Sequence, residues 1–138
     1  HGDVRNDGEV EAPVGRDPGN RVRMAVVGSG KDARTRYRVL ERFLGGGATL
    51  LECGLDTGRT HQIRVHMQSI GHALIGDPVY RSRRLSERLA GGALSRFRRQ
   101  ALHAARLEFV HPGTGKPARF ESPLPEDFRL LLQALRAA

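Results

Sequence analysis

An alternation of apolar and polar residues over residues 35–43 constrains this chain more than any other feature. In TRYRVLERF, Tyr37, Val39, Glu41 and Phe43 fall on one side of an extended backbone, and arginines dominate the other. A period of two is the signature of a half-buried strand. Glycines at 45, 46 and 47 follow, and then the apolar-rich run ATLLECGL at 48–55. Two such runs joined by a short flexible loop predict an antiparallel hairpin.

The period then changes. Over residues 60–71, Ile63, Met67 and Ile70 recur at i, i+4 and i+7, one face of a helix. Thr60 is placed to cap its start and Gly71 to end it. A second helix is predicted from Pro125, Glu126 and Asp127, because proline and acids suit a first turn. Phe128, Leu131, Leu132 and Leu135 form its buried stripe. Shorter pieces fill the rest. Residues 9–14 alternate until Pro13 stops them, 15–20 are turn chemistry, and 24–27 are a brief apolar run. Residues 73–78 read as a short strand and turn; 102–110 and 118–121 read as strands that pair across a turn at 111–116. The sum is an α+β fold, a mostly antiparallel mixed sheet with two main helices, in one domain spanning 1–138. Residues 81–99, rich in arginine with little apolar pattern, read as a basic flexible insertion.

Charge narrows the function. Lys+Arg number 23 against 15 Asp+Glu, a formal +8, and the pI is about 11.1. An excess of that size attracts polyanions, nucleic acid above all. No run approaches the ~18 apolar residues of a membrane span, so no membrane association is expected. Cys53 is the single cysteine. It excludes an intrachain disulfide framework, suits a buried apolar position and fits a reducing cytoplasm. The loop Gly28-Ser29-Gly30-Lys31 lacks the earlier glycine and the following Ser or Thr of a phosphate loop. His61, His66 and His72 are spaced by five and six, and i and i+5 diverge by roughly 140° on a helix. No cysteine or acidic cluster completes a shell, so no metal site is expected.

The stretch TGRTHQIRVH at 57–66 is the candidate site. It bridges the end of a strand and the start of a helix, with Gly58 allowing a tight turn. Free N–H groups at a helix start, with the dipole behind them, suit an anion. Arg59 adds a planar fork, and Thr60, His61 and Gln62 line the same turn. Arg64 lies one turn deeper beside the apolar stripe, where a guanidinium is costly without an anionic partner. The residues alone leave open whether Arg59 and Arg64 meet an anion or snorkel to water.

Residues 55–67, LDTGRTHQIRVHM, and 71–80, GHALIGDPVY, closely resemble the signature of the RluA/RluD-type RNA pseudouridine synthases. APVGR at 12–16, GKDARTRY at 30–37, LHA at 102–104 and SPLPEDF at 122–128 are similar to further stretches of that family. The resemblance implies isomerisation of uridine to pseudouridine in RNA, ribosomal RNA most often, without metal or organic cofactor. In that family an aspartate attacks the flipped-out uridine, a tyrosine accepts a proton, and the arginine matched by Arg64 pairs with the aspartate. Arg64 is thus the expected catalytic residue. Arg59, Thr60, His61, Gln62 and Arg16 are the expected RNA-binding residues.

The HRLD motif that bears the family's aspartate and the K-x-Y-x-A strand that bears its tyrosine are absent. The expectation is therefore a C-terminal portion of a catalytic domain, inactive alone and lacking its N-terminal half. Arg64 would then meet a carboxylate this chain does not carry, and an unpaired sheet edge would favour dimerisation. The alternatives are a non-catalytic basic RNA-binding module and a structural basic domain that binds anions weakly.

Overall fold

The computed structural model describes residues 1–45, 47–81 and 96–138. The predicted hairpin is its backbone. Strand β4 (Arg34–Phe43) pairs antiparallel with β5 (Ala48–Leu55), from Thr35 opposite Leu55 to Phe43 opposite Ala48, with a register shift between Val39 and Glu41. β1 (Gly8–Glu11) adds to the other side of β4 and gives the order β1-β4-β5. The expected face is realised: Thr35, Tyr37, Val39, Glu41 and Phe43 are buried or half-buried, and their neighbours are exposed. On the exposed face, Arg34 meets Glu9 at 2.6 Å, Arg36 meets Asp56 at 3.0 Å, Arg38 meets Glu52 at 3.0 Å and Arg42 meets Asp3 at 3.2 Å. Four of the chain's arginines are thereby neutralised on one strand.

Helix α2 (Glu126–Ala137) closes one end of this sheet. Phe128, Leu131, Leu132 and Leu135, the four residues of the predicted stripe, pack with Phe43 and Ala48 into the apolar core. Phe97 meets Phe128 edge to face, with ring centroids 6.5 Å apart. Arg136 forks onto Glu41 and Arg99 onto Asp127 at the surface rim.

Strands β2 (Val14–Asp17) and β3 (Asn20–Val26) form a second hairpin where only turn residues and a short apolar run were expected. Asp17 accepts the Gly19 N–H at 2.8 Å and sets the reversal. The loop after β3 lies back on β2, with Val14 and Lys31 exchanging backbone hydrogen bonds of 2.9 Å. Gly30 is required there, because a Cβ would sit 2.5 Å from the Val14 carbonyl carbon.

Strands β6 (Arg106–Val110) and β7 (Pro117–Glu121) form a third hairpin, shorter than the expected 102–110 strand. Leu107, Phe109, Ala118 and Phe120 share one face, on which Phe109 and Phe120 stack at 5.9 Å. The other face bears Arg106, Glu108, Arg119 and Glu121 in ion pairs. Leu107 and Phe120 remain about three-fifths exposed (60% and 59%).

Every strand pairing among the described residues is antiparallel, distributed over three small sheets rather than one mixed sheet. Residues 73–78 form no strand; they are a turn in which Gly76 takes φ 75° beneath the Phe97 and Arg99 carbonyls. Most of the expected basic insertion, residues 82–95, lies outside the described residues. Among the described residues, no helix is long and apolar enough to cross a membrane.

Candidate active site

Helix α1 (Gln62–Ser69) follows β5 through a turn pinned onto the start of β4. Thr57 Oγ1 accepts the Arg34 N–H at 3.0 Å and donates to Gln62 Oε1 at 2.7 Å. The same Oε1 accepts the Arg59 N–H, and Gln62 Nε2 donates to Arg34 O and Thr35 Oγ1. Thr35 Oγ1 bonds in turn to His66 Nδ1 at 2.8 Å, and His66 Nε2 meets the Ala12 carbonyl at 2.9 Å. A carbonyl can only accept, so His66 holds its proton on Nε2 and takes the Thr35 hydroxyl on Nδ1. Thr35, Gln62 and His66 are 0%, 3% and 0% exposed. The helix is seated by a buried, mutually satisfied polar network.

Several expectations change here. Thr60 is exposed and does not cap the helix. His61 is the N-cap, in the left-handed region (φ 55°, ψ 25°), with no side-chain cap bond. Gly58 is not the strained position: it has no positive φ, and a Cβ there would meet open space. The Gln62 N–H is already bonded to Arg59 O at 3.0 Å, so fewer free N–H groups face the turn than a bare helix start would offer. Gln62, expected to touch RNA, spends both amide hydrogens and its oxygen inside the protein and is a structural clamp. The predicted stripe also fails in part, since Ile70 is 37% exposed while Val65 is buried.

Arg64 points inward as expected and is 7% exposed. Its partner is Asp77 of the same chain, thirteen residues on: Nε to Oδ2 at 2.7 Å and Nη2 to Oδ1 at 2.9 Å. Arg64 thus already has one anionic partner on this chain, where the sequence led us to expect its anion on another segment. Gly71, at φ 84°, ends the helix and lets the chain fold back beneath it. Asp77 Oδ1 also accepts the Val79 and Tyr80 N–H groups at 2.9 and 3.0 Å. Burial pushes the Asp77 carboxyl up, but Arg64 and these two N–H groups outweigh it and hold it below the usual carboxylate value. The same hydrogen bond raises the Arg64 guanidinium. Arg64 Nη1 makes no hydrogen bond to a described residue.

Tyr80 completes the centre. It is fully buried, with the Arg64 Cζ 4.9 Å and the Arg23 Cζ 5.3 Å from its ring centroid. Its hydroxyl accepts the Met24 N–H at 2.8 Å and lies 2.9 Å from His61 Nδ1. Sequence reasoning misses Asp77 and Tyr80 as site residues. A signal exists: a helix-borne arginine with a buried environment requires a carboxylate, and Asp77 is within reach of a helix that ends at a glycine.

Around this centre Arg23 pairs with Asp17 at 3.3 Å, but other cations differ in kind from those on β4. Arg16 and Arg21 are exposed on the β2–β3 hairpin, where Arg16 meets only the Arg21 carbonyl at 3.3 Å. Arg59 donates to the Asp32 carbonyl at 2.9 Å. Neither these three nor Lys31 forms an ion pair with a described residue, whereas β4's arginines do. Among the described residues, no group of three or more His, Cys, Asp or Glu could hold a metal ion. Burial pushes the Cys53 thiol up to about 11, with Glu52 adding to it, so it is a poor nucleophile at neutral pH.

A family model described as RNA pseudouridylate synthase matches residues 1–69. The chain belongs to the RNA pseudouridylate synthase family. Within the family it is 56% identical over 135 residues to the ribosomal large subunit pseudouridine synthase D of Nitrosomonas europaea, an alignment covering 98% of this chain and 38% of the relative. It is 50% identical over 139 residues to the synthase D of Pseudomonas aeruginosa, covering 98% and 43%. The chain thus spans about two-fifths of the length of these pseudouridine synthases. Among solved structures, human RNA pseudouridylate synthase domain containing 1 superposes with a TM-score of 0.72 at 25% identity, covering 100% of this chain and 63% of that one. The α+β architecture is that of pseudouridylate synthase domains.

Proposed function

We propose that this chain forms the arginine-bearing part of a site that isomerises uridine to pseudouridine in RNA, with ribosomal RNA as the substrate class. The observation that favours this most is the placement of Arg64. Asp77 fixes two of its nitrogens and leaves Nη1 for a further anion, near Arg16, Arg21, Arg59 and Lys31, which form no ion pair with a described residue. In this reading the nucleophilic carboxylate and the proton-accepting tyrosine come from sequence outside these 138 residues, as the family resemblance implies. Asp77 orients Arg64, and Arg64 Nη1 holds the nucleophile ionised. Arg59, Thr60, His61 and Arg16 meet the RNA, whose phosphates the unneutralised arginines attract. The base leaves the stack to react, as base chemistry requires. No organic cofactor or metal is invoked, and the setting is the cytoplasm.

The chain alone is expected to form no pseudouridine in ribosomal RNA. A version extended upstream by a segment bearing the HRLD motif is expected to do so, read out by carbodiimide labelling and primer extension. Turnover by the 138 residues alone would assign the nucleophile to an acid such as Asp56 or Asp77 and reject this reading. A second reading, an RNA-binding module without chemistry, rests on the same unpaired cations; it predicts binding but no turnover in both forms. The isolated chain is further proposed to self-associate through an open sheet edge or through the apolar face of β6–β7. A clean monomer in light scattering would reject that.

A further inference from the structure

The Tyr80 hydroxyl lies between two nitrogens with opposite needs. The Met24 backbone N–H can only donate, so the phenol oxygen accepts from it. The hydroxyl hydrogen then needs an acceptor, because Tyr80 is 0% exposed and a buried unpaired donor is costly. Among the described residues, the atom in reach is His61 Nδ1 at 2.9 Å. Nδ1 must therefore be unprotonated, which places the ring hydrogen of a neutral His61 on Nε2. His61 itself is exposed and stands at the left-handed N-cap of α1, its ring 74° to that of Tyr80.

We propose that Tyr80 is a positioning residue that holds His61 as a neutral Nε2–H donor, and that this N–H reads an uncharged acceptor on the substrate uridine, a carbonyl oxygen of the uracil. The ligand part rests on the RNA reading above; the tautomer does not.

The surroundings support a neutral ring. Protonating His61 would force Nδ1–H toward the phenol oxygen and leave the Tyr80 hydroxyl hydrogen buried without a partner. The charged groups that face the pair act in the same balance: Arg64 on α1 and Arg23 on β3 lie at the Tyr80 ring, with Asp77 bound to Arg64 and Asp17 3.3 Å from Arg23. Burial and Arg64 push the His61 pKa below its ordinary value, and Asp77 only partly restores it. A group held neutral has no advantage on a phosphate, which a cation serves better. Arg16, Arg21 and Arg59 already supply that charge. A single neutral N–H suits a base edge, where hydrogen bonds rather than charge carry identity.

Nitrogen-15 imidazole spectra of the 138-residue chain test the tautomer. At pH 7 His61 is expected to show a protonated Nε2 and a bare Nδ1, and Tyr80→Phe to give a mixture of tautomers. A protonated Nδ1 in the native chain overturns the proposal, and if Tyr80→Phe fails to fold the native spectrum decides alone. Single-stranded oligouridylate is expected to shift Nε2, whereas inorganic polyphosphate at matched ionic strength is not; equal shifts would mean that phosphate is the ligand and reject the base reading. His61→Gln, which keeps an N–H at about that reach, is expected to hold oligouridylate affinity within about threefold, and His61→Ala to lower it about tenfold. Equal affinity for both variants and the native chain also overturns it. If the native chain binds no oligouridylate, the RNA reading and the proposed ligand fall together, while the spectrum still decides the tautomer.

Discussion

The two helices of this chain are buried by opposite means. α2 inserts Phe128, Leu131, Leu132 and Leu135 into an apolar core and leaves its charges at the rim. α1 buries Gln62, Arg64 and His66 beside Val65 and Met67, and each of its three polar groups is met by a specific partner. Apolar burial is nondirectional and tolerates small adjustments. A buried polar network requires each partner in place, and losing one strands the others. A helix seated in this way costs more to arrange and holds its side chains in fewer orientations, which is what a site needs.

Asp77→Ala should separate the two helices most sharply. It strands the Arg64 guanidinium in a buried position, and denaturant titration is expected to show a loss of about 3–5 kcal/mol. Acid should mimic it. Because the Asp77 carboxyl is held below its ordinary value, its contribution is fully present above the unfolded carboxylate pKa near ~3.9. It is lost as pH falls through the lower folded value. A stability that stays flat through that acid range would show the ion pair to be unimportant.

Leu131→Ala, in the apolar helix, should cost a similar or slightly smaller amount, about 2–5 kcal/mol, for the cavity it leaves. At temperatures where both variants remain folded, only the Asp77 variant is expected to weaken RNA binding. Equal binding losses would mean the α1 network has no special relation to the RNA surface. Gln62→Ala should come next, at about 1–3 kcal/mol, because Thr57, Thr35 and two backbone groups lose a partner at once. Replacing Arg16 and Arg21 together by alanine should barely move thermal stability, since neither side chain is ion-paired with a described residue. It should lower RNA affinity and reduce the slope of log affinity against log salt by about one for each phosphate that is no longer neutralised. An unchanged salt slope would remove the β2–β3 hairpin from the RNA surface.

The same contrast explains what can be read in the sequence. The hairpin β4–β5 and the stripe of α2 advertise themselves by period, since apolar burial repeats with the geometry of the element. The sequence reveals α1 as a helix but misplaces its start and its buried face. Its inner face is held by hydrogen bonds, which leave no apolar period. The left-handed residue falls on His61, because Thr57 and Gln62 fix the turn more firmly than Gly58 relaxes it. β2 and β3 escape detection because the alternation from Arg21 to Met24 is short and does not follow burial, with Val22 84% exposed. The apolar run at 73–75 suggests a strand, yet Gly76 turns the chain under the Phe97 and Arg99 carbonyls, a long-range approach no local window contains. Arg64 is recognisable as needing an anion, but the choice between an anion on this chain and one elsewhere depends on the fold-back after Gly71.

The β6–β7 ribbon has a calorimetric consequence. Leu107, Val110 and Phe120 stay largely hydrated when the chain folds, so their hydration contributes little to the heat capacity of unfolding. The stability curve of the isolated polypeptide should be flatter than its length alone would suggest. Covering that ribbon with another apolar surface would steepen the curve, and the heat-capacity increment of unfolding would register the area lost to water.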